Sequence, residues 1–228
     1  MTTIDRRRGW NPFTLAVLVA AWIALLPNWP LWQALWSLPE VSASAGGWLF
    51  IAGFAAMIAA LTTLVLAPFA WRGAIKPVAS LLLLAAAFGA YFMSAYSVVI
   101  DTPMIVNVLQ TDPREVRDLL NARLAMSLLV LAGLPLLLLW RAPVARTRFV
   151  RQFGRNLLGF VVTALLLAGL TFALFAELSS TMRNHRTLRY LINPANSLYA
   201  LADLAMQARA QPAGPPRPIG LDARVEPR

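Results

Sequence analysis

Asn107, Thr111 and Glu115 follow one another at intervals of four residues: an amide, a hydroxyl and a carboxylate at i, i+4 and i+8. On a continuous helix they share one face. Together they can hold a cationic amine and its neighbouring polar groups. A second reading stands beside this one. Asp112-Pro113-Arg114-Glu115 has the order of a helix start, with an N-cap, proline at N1 and glutamate at N3. Proline at 113 also argues against one unbroken helix through all three polar residues.

A second group is Arg183, Arg186 and Arg189, spaced as a stripe. Such a stripe can grip lipid phosphates or a lipid-like substrate, or it can form a basic collar at the headgroups. His185 lies within it and is the only histidine. No nucleophile or orienting carboxylate stands beside it in sequence, so it is not read as a catalytic base. There are no cysteines, which excludes disulfides and thiolate metal sites. No metal site is expected in the chain. Nothing matches a phosphate loop, a dinucleotide fingerprint or a zinc cluster.

The elements that must position these groups are apolar and long. Of 228 residues, 59% are apolar and 13% charged, against roughly 45–50% and 25% in a soluble domain. A membrane-spanning helix needs roughly 20 mostly apolar residues. Five stretches free of Asp, Glu, Lys and Arg qualify: 13–38, 48–71, 77–99, 124–140 and 156–176. The fold class is therefore all-α and polytopic, with about five transmembrane helices. Pro27-Asn28-Trp29-Pro30 interrupts the first span, which should bend there. A cleaved signal peptide is the competing reading of this segment. Its cleavage-like Ala43-Ser44-Ala45 lies past the usual range of about 15–30 residues. No span holds an ionisable residue, which argues against a proton-coupled transporter.

The net charge of +10 is explained by topology rather than by a nucleic-acid partner. The N-terminus, the 72–76 loop and the 141–155 loop hold ten of the 20 basic residues and one acid, Asp5. The two short loops on the other side hold Arg114, Arg117 and Arg123. Lysine and arginine favour the inside, so the N-terminus is expected inside and the C-terminus outside. Trp10, Trp71 and Trp140 mark one boundary; Trp29, Trp32, Trp36 and Trp48 mark the other; only Trp22 is deep.

Residues 1–177 thus read as the transmembrane domain and 178–210 as juxtamembrane or interfacial helices. Asn193-Pro194 should break a helix leaving the membrane. Ser197 then looks like the N-cap of a short helix over 198–210, with Leu198, Leu201, Leu204 and Ala208 on one face. Residues 211–228 read as a proline-rich linker, which implies a partner domain.

Tyr96-Ser97-Val98-Val99-Ile100-Asp101, Met104-Ile105-Val106-Asn107-Val108-Leu109-Gln110-Thr111-Asp112 and the segment from Arg183 to Ser197 resemble the lipid A phosphoethanolamine transferases, the family that includes the mobile colistin-resistance enzymes. Ile219-Gly220-Leu221-Asp222-Ala223 is similar to the family's segment just before its catalytic domain. The resemblance implies a five-helix domain in the bacterial inner membrane, short periplasmic helices, and a periplasmic C-terminus. It implies a sulfatase-like, zinc-dependent domain beyond Arg228, where the nucleophilic threonine, the zinc ligands and the acid/base histidine would lie. No catalytic residue and no cofactor is expected in this chain. The implied partners are phosphatidylethanolamine as donor, lipid A as acceptor and that catalytic domain. Asn107, Thr111 and Glu115 match an Asn, a Thr and a Glu that bind the donor in the family. The alternative is a non-enzymatic inner-membrane lipid transporter subunit or assembly scaffold.

Overall fold

A computed structural model describes residues 9–209, apart from 44, 113, 115, 116 and 118. The expected linker over 211–228 lies outside the described residues. Among the described residues the chain is helical, and the one extended contact is a bridge between Trp10 and Val144.

Helix α1 (Pro12–Leu25) opens on Asn11, whose Oδ1 accepts from the Phe13 amide at 3.1 Å. Pro12 occupies the first turn, where its missing N–H costs nothing. The helix stops before Pro27, and α2 (Trp29–Trp36) restarts at 45° to it. The expected bend is therefore present. After a single turn, α3 (Pro39–Ser42), come α4 (Ala45–Leu66) and α5 (Ile75–Tyr96). A short amphipathic helix, α6 (Thr102–Gln110), precedes α7 (Ala122–Arg141). Then follow α8 (Phe149–Ala173), α9 (Phe175–Asn184), a 3₁₀ stretch over Arg186–Leu191, and α10 (Ala195–Arg209). Four helices are long and apolar enough to cross a membrane, and the bent α1–α2 pair makes a fifth when counted as one span.

Two expected boundaries move. The span expected at 156–176 belongs to a helix that begins seven residues earlier and ends at Ala173. Charged Arg151 and Arg155 limit an apolar run but are good helix formers, so they do not end a helix. The helix expected at 198–210 starts at Ala195, directly after the Asn193-Pro194 break. Ser197 is buried within its first turn and is not the N-cap.

The core has two parts. One joins Leu15, Val19 and Ile23 of α1 to Ile75, Leu82 and Leu83 of α5, with Leu66 and Leu139. The other joins Leu31 and Leu35 of α2 to Phe50, Phe54 and Ile58 of α4, with Leu188. Helix α5 is central, with half of its most apolar window buried. Helix α8 is peripheral, with 6% of the corresponding window buried.

Helix α7 carries a π turn at Leu129–Gly133. Pro135 has no N–H to give the Leu131 carbonyl four residues back. That carbonyl accepts instead from the Trp22 indole N–H, at 2.9 Å. This accounts for the one tryptophan set deep in a span: it satisfies a backbone acceptor where water is absent.

The N-terminal segment, the α4–α5 turn and the α7–α8 loop meet at one end of the bundle. The Trp10 amide donates to the Pro143 carbonyl at 2.7 Å, and the Ala145 amide to the Trp10 carbonyl at 3.0 Å. Beneath them lies a buried amide knot. Gln152 Nε2 donates to Asn156 Oδ1 at 2.8 Å and to Asn11 Oδ1 at 3.1 Å, and Asn156 Nδ2 donates to the Ala70 carbonyl at 2.8 Å. This is the basic end, carrying Arg72, Lys76, Arg141, Arg146 and Arg148.

Candidate functional site

The opposite, polar end is built from residues 38–47, 97–121 and 174–197, and a break in the first span anchors it. Where α1 stops, backbone carbonyls lose their helical partners. Asn28 Nδ2 donates to the Ile23 carbonyl at 2.9 Å and to the Asn193 carbonyl at 2.6 Å. In return the Asn193 amide donates to Asn28 Oδ1 at 2.9 Å. Asn193 Nδ2 reaches the Ala86 carbonyl at 2.6 Å and the Pro27 carbonyl at 3.2 Å. Both asparagines are fully buried. The segment after α9 is thus locked into the bundle at the break in α1–α2.

From this lock α10 reaches the loop after α5. Asn196 Nδ2 donates to the Ile100 carbonyl at 2.7 Å, and Thr102 Oγ1 donates to Asp203 Oδ2 at 2.7 Å. Helix α6 starts there, with Asp101 Oδ1 accepting from the Met104 amide at 2.9 Å. Tyr91 Oη donates to Asn121 Oδ1 at 3.1 Å, which ties the end of α5 to the start of α7. The 97–121 excursion is therefore pinned at its root while its tip projects.

Asn107 and Thr111 lie on that tip. Asn107 is exposed, and its side-chain amide has no hydrogen-bond partner among the described residues. Thr111 Oγ1 donates to the Asn107 carbonyl at 2.7 Å and closes the last turn of α6. Thr111 itself is extended, with φ −66° and ψ 132°, so α6 stops at Gln110. One helix through 107, 111 and 115 is not formed. Asp112 Oδ1 accepts from the Arg114 amide at 2.8 Å, as a cap does. The structure thus joins Asn107 to Thr111, and Glu115 lies outside the described residues.

Arg183 sits in the last turn of α9, with Arg186 and Arg189 on the 3₁₀ stretch. Three residues per turn set 186 and 189 on one face. All three arginines are exposed. Arg189 lies over the Tyr190 ring at 4.6 Å and donates from Nη2 to its Oη at 2.6 Å. None of the three pairs with an acid among the described residues, so each can still meet an anion, Arg189 with one face already against Tyr190.

Sequence reasoning found no carboxylate for His185, but the fold supplies one. Glu40 Oε1 lies 2.8 Å from His185 Nε2. The hydrogen bond from its own backbone amide, then the histidine, hold the Glu40 carboxyl below the usual carboxylate range. Separated by 145 positions, this pair leaves no local signal. Glu40 also lines a cavity of about 430 Å³ with Gly47, Phe50, Glu177, Ser180 and Thr181. Gly47 permits the close approach of α3 to α4: a Cβ there would fall 1.8 Å from the Val41 carbonyl oxygen.

Residues 57–208 match the family model described as phosphoethanolamine transferase EptA/EptB. Phosphatidylethanolamine transferase Mcr-1 of Escherichia coli is 34% identical over 90% of this chain, and the match covers 37% of that protein. Phosphoethanolamine transferase EptA of Escherichia coli K12 is 33% identical over 60% of the chain and 25% of its own length. The chain thus spans between a quarter and little more than a third of the curated relatives it matches. Among solved structures, the integral membrane lipooligosaccharide phosphoethanolamine transferase A of Neisseria meningitidis shares the fold. Its TM-score is 0.76 at 20% identity, over 86% of this chain and 36% of that one.

Proposed function

The chain belongs to the phosphoethanolamine transferase EptA/EptB family, of which it carries the membrane domain, and from that premise we propose that it presents the donor lipid to a periplasmic catalytic domain. The donor is phosphatidylethanolamine and the acceptor is lipid A. The location is the bacterial inner membrane, with the basic end in the cytoplasm and the polar end in the periplasm. A sulfatase-like domain with its zinc supplies the chemistry. The transporter or scaffold reading is not favoured by the family assignment.

One observation carries the proposal. The polar end holds its root through Asn28, Asn193 and Asn196, and the Asn107 side-chain amide, beside Thr111, has no partner among the described residues. An exposed amide on a docked helix suits a headgroup with both acceptors and donors, since an amide provides both. Arg183, Arg186 and Arg189 offer cations for the phosphates of a donor or of lipid A. Glu115 would take the ammonium group of the donor.

The test uses the full-length enzyme carrying Asn107→Ala, Thr111→Ala or Glu115→Ala. Phosphoethanolamine on lipid A is measured by mass spectrometry at matched expression. Each variant should lose about tenfold or more of the modification, the effect of one hydrogen bond to a charged group of about 1.5–3 kcal/mol. Normal modification in all three would remove the assignment.

A further inference from the structure

We infer that the basic end carries a site for one anionic phospholipid, with an acyl chain lying between α1 and α7 and the headgroup phosphate on Arg141. A groove of about 550 Å³ separates these two helices. Leu18 and Trp22 line it from α1, and Leu138 and Leu139 from α7. Trp10 and Arg141 stand at its mouth, at the basic end.

The shape suits a single chain. Trp22 closes the deep end and cannot swing away, because its indole N–H is held by the Leu131 carbonyl. From Leu15, which lines the groove near the mouth, to Trp22 is about 10 Å along the helix axis. That depth fits inside one leaflet, about half of the roughly 30 Å hydrocarbon core. The walls are open rather than packed: Leu18 is 50% exposed and Leu138 59%. The mouth is fixed too, since both backbone groups of Trp10 are tied to the 143–145 loop.

The charge selects the headgroup. The Arg141 guanidinium has no hydrogen-bond or ion-pair partner among the described residues. Residues 67–76 and 141–155 contain no aspartate or glutamate. A phosphate at the mouth therefore meets arginine without a competing carboxylate from either of those two segments. A zwitterionic lipid offers the same chains but no net charge, so an anionic lipid is preferred.

The experiment places the chain in detergent, offers phosphatidylglycerol or phosphatidylcholine with identical acyl chains, and counts retained lipids by native mass spectrometry. The chain should retain one phosphatidylglycerol in preference to phosphatidylcholine. Arg141→Gln should lower that preference about fivefold, the attraction one arginine adds at an anionic surface. Leu138→Trp, and separately Leu18→Trp, should fill the groove and release both lipids. Arg155→Gln, on α8 and away from the groove, should leave the preference unchanged. Thermal unfolding of every variant, followed by circular dichroism, shows which are folded. Equal retention of both lipids by the unaltered chain overturns the site. So does full retention in both folded tryptophan variants, or an equal loss in Arg155→Gln and Arg141→Gln, which marks a general basic surface.

Discussion

At the scale of single residues, the two asparagines of the α1–α2 break bear most of the weight. Asn28→Ala leaves the Ile23 carbonyl and both backbone groups of Asn193 unpaired in a dry interior. Each orphaned group costs about 1–3 kcal/mol, so the thermal midpoint in detergent should fall more than for any substitution on the exposed α6 tip. Gly89→Ala tests the same lock from the other side. Its Cβ would lie 2.9 Å from Asn193 Oδ1, and Asn193 is held by hydrogen bonds that do not let it move. A loss of about 1–3 kcal/mol is expected from such overpacking, and an unchanged midpoint would refute the lock. The Glu40–His185 contact predicts a pH effect. A carboxyl held below its unfolded value contributes fully above about pH 5 and loses that contribution as pH falls through the lowered folded value. The gap in midpoint between the unaltered chain and Glu40→Gln should therefore narrow as pH falls from 7 through that lowered value. A gap that stays constant across that range would show that the carboxylate charge is not what holds the contact.

At the scale of elements, the apolar runs and prolines announced most of the helices. The α1–α2 bend follows from Pro27 and Pro30, whereas the outer-loop reading places a helix start at Asp112-Pro113 and misses the one at Asp101. What holds those breaks in place was not legible. Asn28 and Asn193 are 165 positions apart, and Glu40 and His185 are 145 apart. No periodicity links such pairs, because only the packed bundle brings them together. Pro135 was visible in the sequence, but its consequence appeared only with Trp22 docked on the Leu131 carbonyl. That contact makes a double-mutant prediction. Trp22→Phe should destabilise the bundle by about 0.6–1.7 kcal/mol, the range for a hydrogen bond between membrane helices. In a Pro135→Ala background, a restored residue-135 amide can satisfy Leu131, and the same substitution should cost less. Equal costs in both backgrounds would mean that the indole does not serve the carbonyl freed by proline.

At the scale of the whole molecule, the fold converts a linear charge pattern into a spatial one. The basic 72–76 and 141–155 segments meet the start of α1 at one end through the Trp10 ties and the Gln152 knot. The acids Glu40, Asp101, Asp112, Glu177 and Asp203 lie in the segments of the other end or in α10 docked on it. A bilayer that keeps lysine and arginine inside should therefore orient the bundle with Trp10 in the cytoplasm and α10 in the periplasm. The 97–121 excursion, the arginine stripe and α10 then share one compartment, which is what presentation of a lipid headgroup to a periplasmic enzyme requires. The native chain has no cysteine, so a single introduced thiol reports without background. Ala145→Cys marks the basic end and Thr187→Cys the polar end. In intact bacteria with a permeable outer membrane, a membrane-impermeant maleimide should label position 187 and spare 145 until the inner membrane is lysed. The reverse pattern would put the site on the wrong side for any periplasmic partner. It would overturn the proposed function while leaving the fold and the family assignment untouched.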